Sequence, residues 1–320
     1  YFLKCWYPNK YKNSVLSMEI KRRELESCLS KQRGSAIFMS GGVDALSNLI
    51  RLTEKFSISH PARITSAVCV FGFDIGGKEA EIGDVKLDDL YNTLVQNTTK
   101  QCKAKGVELI PLYTNIRHLD DTSGFWGKEF VGTALSAVSH ALNGGFERFY
   151  ISSGEAMTKD GVLAPWGSHP LIEQYCSSHS VSINHYGLHI DSRMKKIKQI
   201  SMQPGMLNTI RVCFYTSQSG LNCGLCEKCI RTMLQLHILG LNSNAFDCKL
   251  KASNVAMVQI DDEIILDTYN EIRKHLKLKD PLHLLSFVEE VIKTGNIYLN
   301  WKNEKTLAGR VKKIARKFLK

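Results

Sequence analysis

The sequence predicts an α/β protein built on a doubly wound, mostly parallel five-stranded sheet, and three observations carry that expectation. Between residues 35 and 200, short apolar runs alternate with longer segments of helical periodicity. Several of those runs are apolar throughout, as in strands covered on both faces, rather than alternating apolar with polar. The first run passes through a glycine pair straight into a helix, the arrangement that puts a turn at the carboxyl edge of such a sheet.

Ala36 to Met39 form the first strand, Ser40, Gly41 and Gly42 the turn, and a helix runs from Asp44 to about Lys55 with Leu46, Leu49, Ile50 and Leu52 as its apolar set. The second strand spans Ile64 to Phe73 and ends in GFDIGG. A helix from Asp84 to Lys105 leads through Gly106 to a third strand, Val107 to Tyr113. Lys128 to Leu142 reads as a helix closed by Gly144 and Gly145, and Arg148 to Ser152 as the fourth strand. Val181 to His185 is the fifth, followed by a helix over Asp191 to Ile200.

Around this sheet region, residues 35–212, the chain divides into an N-terminal extension (1–34), a cysteine-rich segment (213–240) and a helical C-terminal region (241–320). The extension holds Tyr1, Phe2, Trp6 and Tyr7 and a helix over Val15 to Leu29. In the C-terminal region Asp261 or Asp262 caps one helix, and Pro281 to Lys293 forms another that ends at Gly295.

With 320 residues, 43% of them apolar and 23% charged, the chain is an ordinary globular protein of one large or two small domains. No run of eighteen apolar residues is present, and the first residues lack a basic-then-apolar leader. Beginning at Tyr1 rather than Met is expected of a trimmed or partial chain. Ten cysteines, scattered except for one cluster, suit a reducing cytoplasm and a metal site better than a disulfide framework. The net charge of +11 is uneven: Lys302 to Lys320 holds eight Lys or Arg and one Glu. That tail has Leu307, Val311, Ile314 and Phe318 on one helical face, which suits a docked helix with a solvated basic side or a contact with RNA or anionic lipid.

The turn Ser40-Gly41-Gly42 carries the clearest chemistry. Two glycines let the backbone approach a ligand with several N–H groups aligned, and the following helix adds its positive end, so the turn suits phosphate. It has neither the lysine and hydroxyl of a Walker loop nor the G-x-G-x-x-G spacing of a dinucleotide fold. Phe73 and Asp74 end the second strand at the same edge, where a base or ribose would lie. The Gly- and Ser-rich segment Ser153 to Pro170 follows the fourth strand. Its Trp166 and His169 could stack on and hydrogen-bond a planar substrate, or Trp166 could be tucked into the core. Arg193 and one of Lys195 or Lys196 could reach toward phosphate.

The cluster NCGLCEKC provides Cys223, Cys226 and Cys229, and Cys213 lies in the apolar run Ile210 to Phe214 just before it. Two-residue spacers bring thiolates onto a shared tight turn, Gly224 permits that turn, and a fourth thiolate from a neighbouring strand closes a tetrahedron suited to structural Zn²⁺. An iron–sulfur cluster also uses such sets.

SGGVDA resembles the SGGxDS loop of the PP-loop ATP pyrophosphatases, with Ala45 in place of the last serine. Together with C-x9-C-x2-C-x2-C about 180 residues later, the chain from Ser35 to Met233 is similar to the 7-cyano-7-deazaguanine synthases. The resemblance implies a PP-loop (HUP-type) fold that uses ATP and Mg²⁺. Ser40, Gly41, Gly42 and Asp44 would hold phosphate, and Cys213, Cys223, Cys226 and Cys229 would bind zinc. It implies a carboxylate or carbonyl oxygen activated as an adenylate and attacked by an amine or ammonia. From their positions in the chain, Asp44, His169 and Arg193 are the candidate catalytic residues. The chain departs from that family at APWGSHP, where the family reads its deazapurine with GY-x-DC-R, so another substrate is expected. Two other readings use the same residues: a tRNA-modifying thiolation enzyme that binds RNA through the basic tail, and a nucleotide-binding interaction module whose loop has lost function at Ala45. The sequence also allows a homodimer.

Overall fold

The computed structural model describes residues 10, 34–76, 85–120, 122, 124–154, 166–190, 192–213 and 222–305. The expected helix over Val15 to Leu29, most of the segment between Ser153 and Pro170, Phe214, and the tail beyond residue 305 lie outside them. The chain divides into two compact units, Tyr1–Lys196 and Ile197–Lys320. The cysteine-rich segment and the C-terminal helices thus belong to one unit, with the division falling earlier than the composition suggests.

In the first unit, β1 (Gly34–Phe38), β2 (Ile64–Phe71), β3 (Glu108–Tyr113), β4 (Phe146–Ser152) and β5 (Ser182–Tyr186) form one sheet in the order β3-β2-β1-β4-β5. Every pairing is parallel. The connecting helices are α1 (Val43–Lys55), α2 (Val85–Lys103) and α3 (Val131–Ala141). Strand alternation divides the core between two faces. On one, Ala36, Phe38, Val68, Phe149, Ile151 and Ile183 pack with Ala134 and Val138 of α3. On the other, Phe71 meets Tyr91 of α2 edge-on at 5.2 Å, and the Tyr91 hydroxyl donates to the Cys69 carbonyl at 2.7 Å. Helices therefore cover both faces. Because β1 lies between β2 and β4, its carboxyl end is the point where the winding reverses, the crevice in which open α/β sheets bind ligands.

Two elements differ from the sequence expectation for local reasons. β2 stops at Phe71, not Phe73, because Gly72 turns the chain at φ 98°, where a Cβ would meet the Thr114 carbonyl oxygen. The helix expected from Lys128 begins as a π-helical turn, Trp126–Phe130, before α3. The backbone of Gly167 lies against that wide turn: Gly167 N–H donates to Gly127 O and Gly132 N–H to Gly167 O, both at 2.9 Å.

α4 (Arg193–Ser201) follows β5. The second unit then holds α5 (Glu227–Ile238), α6 (Glu263–Leu276) and α7 (Leu285–Lys305). Ile230 and Leu234 of α5, Tyr269 and Ile272 of α6 and Val288, Val291 and Leu299 of α7 share one core. Asp262 caps α6 by accepting from the Ile264 N–H at 2.7 Å. Gly295 does not end the last helix. It lies mid-α7, buried against Ile260, whose Cβ would stand 2.9 Å from a Cβ added there. Close packing, not chain breaking, accounts for this glycine.

Candidate functional site

The glycine turn stands at the carboxyl end of β1. Gly41 adopts φ 70°, Gly42 is the N-cap of α1, and among the described residues no side chain caps that helix. Its first N–H groups and the positive end of a 13-residue helix lie at this turn, an arrangement that favours negative charge. Ser40 is exposed and its hydroxyl accepts weakly from the Gly42 N–H at 3.4 Å. Ala45 is 4% exposed, so the residue standing where the resemblance expects serine is packed inward.

Asp44, in the first turn of α1, does not stand alone. Its Oδ1 accepts from Lys196 Nζ at 2.6 Å, and the same ammonium donates to the Ser153 carbonyl at 2.9 Å. The Lys196 side chain is 2% exposed and that of Asp44 29%. A buried ammonium is costly unless paired and hydrogen-bonded, and these two acceptors provide that compensation. The pair ties α1, α4 and the end of β4 into one scaffold beneath the glycine turn. Gly154 runs alongside, where an added Cβ would lie 3.9 Å from Asp44 Oδ2. Of the two lysines considered from the sequence, Lys195 is exposed and Lys196 is buried, while Arg193 is half-buried in the first turn of α4. The signal was helical spacing: Lys196 falls on the face of Ile197 and Ile200.

The other residues nominated from the sequence take varied places. Asp74 is exposed, whereas the Phe73 ring is buried 5.1 Å from Trp126 and its carbonyl accepts from Arg117 at 2.6 Å. Trp166 is 42% exposed rather than tucked into the core. His169 is turned inward as the N-cap of a single helical turn, Pro170–Glu173, its Nδ1 accepting from the Leu171 N–H at 3.1 Å. Burial, then the neighbouring His185, holds its pKa below the usual histidine value. An uncharged cap is the role this geometry gives it.

In the second unit, Cys213, Cys223, Cys226 and Cys229 bring their sulfurs within 4.8 Å of one another. Cys213 Sγ lies 3.4 Å from Cys223 and 3.8 Å from Cys226, and Cys223 lies 3.9 Å from Cys229. A tetrahedron of thiolates around zinc, with Zn–S of about 2.3 Å, has edges of about 3.8 Å, close to these three separations, so the four cysteines could hold a metal ion. Leu225 and Cys226 N–H groups both donate to Cys223 Sγ, and Gly224 makes the knuckle at φ 72° with Cys248 packed against it. Contacts with the Cys213 and Cys226 sulfurs, then burial, push the Cys229 thiol far up, so four thiolates can share this space only around a cation. Cys213 does not arrive on a strand. Residues 211–213 have no regular structure and are held instead by Asn222.

Asn222, fully buried, was not singled out in the sequence. Its Oδ1 accepts from the Val212 and Cys213 N–H groups at 2.7 and 3.1 Å, and its Nδ2 donates to the Ile210 and Ala245 carbonyls at 2.7 and 2.8 Å. One side chain thus replaces the ladder a strand would have supplied, and no spacing rule marks it. No protein-family model, curated protein or solved structure matches this chain.

Proposed function

We propose that the first unit is an ATP-binding domain of PP-loop type that forms AMP and pyrophosphate, activating a carboxylate or carbonyl oxygen for attack by an amine or ammonia. The observation that carries this reading is the glycine turn at the winding reversal of the sheet, opening onto an uncapped helix whose first-turn Asp44 is anchored by the buried Lys196. Turn amides and the α1 N-terminus suit a polyphosphate, and the resemblance of SGGVDA to the PP-loop points to attack at the α-phosphate rather than the γ-phosphate.

In this account Ser40, Gly41 and Gly42 grip the departing pyrophosphate, and the rate gain comes from positioning and charge neutralisation. Mg²⁺, when bound, supplies further charge neutralisation at the phosphates. Asp44 acts on the loop: with one oxygen held by Lys196, it fixes the start of α1 under the turn. The four cysteines form a structural zinc site, since all four positions of a tetrahedron are filled by protein and none is left for substrate.

The thiolation reading needs a reactive thiol or an iron–sulfur cluster. Among the described residues outside the cluster, burial pushes Cys102 up to about 12 and raises Cys176, which disfavours both as nucleophiles. Calorimetry with a non-hydrolysable ATP analogue and Mg²⁺ tests the proposal. Binding that is lost in Gly42→Val supports it, and equal binding by that variant would place the nucleotide elsewhere.

A further inference from the structure

Ser168, Glu173 and His185 form a hydrogen-bonded chain that the account above leaves unused. Ser168 Oγ donates to Glu173 Oε1 at 2.6 Å, and Glu173 Oε2 lies 2.7 Å from His185 Nδ1. Glu173 has no exposure at all, and the His185 side chain is 6% exposed. A carboxylate taken wholly out of water is costly unless both oxygens are satisfied. Here a hydroxyl satisfies one and an imidazole N–H the other. The carboxylate therefore keeps the proton of a neutral His185 on Nδ1 and leaves Nε2 as a base.

The seat of this chain is rigid and close-packed. A Cβ on Gly132 of α3 would come within 2.7 Å of Glu173 Oε1 and 2.4 Å of the Gly167 carbonyl oxygen, so the glycine crossing fixes Ser168 and Glu173 against α3. Strand register then places His185 relative to the glycine turn. His185 pairs with Ile151 of β4, and the preceding β4 residue, Tyr150, pairs with Ile37 of β1. His185 therefore stands level with Phe38, two residues short of Ser40 and two strands across, a lateral distance of about 10 Å. The span suits a substrate whose pyrophosphate end lies at the turn and whose activated carbon, beyond the α-phosphate, lies toward β5. Among the described residues, Glu173 and His169 from the helical turn act on His185; from α3, His140 is held by its Nε2 to the carbonyl of Cys176.

We infer that His185 is the proton acceptor for the nitrogen nucleophile, positioned by Glu173 and Ser168. This role rests on the adenylation reading. In the step concerned, the amine nitrogen bonds to the activated carbon as the bond from that carbon to the AMP oxygen breaks. AMP leaves with the electron pair, the surplus ammonium proton passes to His185 Nε2, and no oxidant or reductant is required.

Two measurements on the full-length, metal-loaded protein test this. Nitrogen-15 NMR of the histidine side chains reads the tautomer without any substrate. We expect Nδ1–H on His185; an Nε2–H tautomer overturns the inference. For turnover, carboxylates are screened with ATP, Mg²⁺ and hydroxylamine as the nitrogen nucleophile. His185→Asn should keep carboxylate-dependent pyrophosphate exchange while hydroxamate formation falls about 10²-fold or more. Glu173→Gln should fall less and displace the acid limb of the pH profile. Unchanged hydroxamate formation in folded His185→Asn overturns the inference. Absence of exchange in the wild type would instead sink the adenylation reading, and this role with it.

Discussion

Lys196 Nζ sits 2.6 Å from Asp44 Oδ1, joining residues 152 positions apart in the chain beneath one glycine turn. The two ends of this pair are not equivalent, because the lysine is buried and the aspartate still touches water. Asp44→Ala leaves a desolvated ammonium, so it should cost about 2 kcal/mol or more, somewhat below the 3–5 kcal/mol typical of fully buried pairs. Lys196→Met replaces the lysine by an apolar side chain of similar length and should cost less. Urea unfolding of the two variants decides: an equal loss in both would mean that the pair is too solvated to matter.

Purified protein should carry one equivalent of zinc, measured by plasma mass spectrometry, with no absorbance near 400 nm of the kind thiolate-bound iron clusters give. Cys229→Ser or strong chelation should unfold the second unit, since metal-binding energy at such sites is folding energy. A chelated protein that keeps its full helical signal would show that the core of Ile230, Leu234, Tyr269 and Val288 holds without the ion.

Asn222→Ala tests how Cys213 is held. The change strands two N–H groups and two carbonyls in a buried place, which argues for a loss of about 2–4 kcal/mol. Metal should also leave faster on challenge with a chromogenic chelator. Wild-type release kinetics in this variant would mean that Cys213 is positioned by other contacts.

His169 should impose a pH dependence on stability. Burial lowers its pKa in the folded protein, so below the ordinary value of about 6.5 the unfolded chain takes up the proton first. The stabilisation is complete above pH 6.5 and is lost as pH falls toward the lowered value. His169→Asn keeps an acceptor for the Leu171 N–H but no titrating group, so its urea midpoint should drop less than wild type between pH 7.5 and 5.5. Parallel drops would contradict the assignment.

Gly295→Ala sets two effects against each other. Alanine gains about 1 kcal/mol of helix propensity, but its Cβ would meet Ile260 at 2.9 Å, and overpacking of this kind costs about 1–3 kcal/mol. We expect net destabilisation in thermal melts, and little relief from Ile260→Ala, which keeps the Cβ that makes the 2.9 Å contact.

These sites show what a linear reading can reach. The β1, glycine turn and α1 unit is local, carried by neighbours in sequence, and so was legible; so were the cysteine spacers. Gly295 misled because a glycine that breaks a helix and one that admits Ile260 look alike until the partner is known. Gly72 ended β2 two residues early for a similar reason, the nearness of the Thr114 carbonyl. His169 and His185 were equally visible as letters, yet strand register and a buried glutamate separate a helix cap from a candidate base. Asn222 works through four backbone contacts that no pattern announces.

The most direct test follows the fate of α-labelled ATP incubated with the zinc-loaded protein, Mg²⁺ and the carboxylate screen. The account predicts labelled AMP, with pyrophosphate released in equal amount and both lost in Gly42→Val. Labelled ADP as the product, or ATP left unbound by a folded and metal-loaded sample, would contradict it.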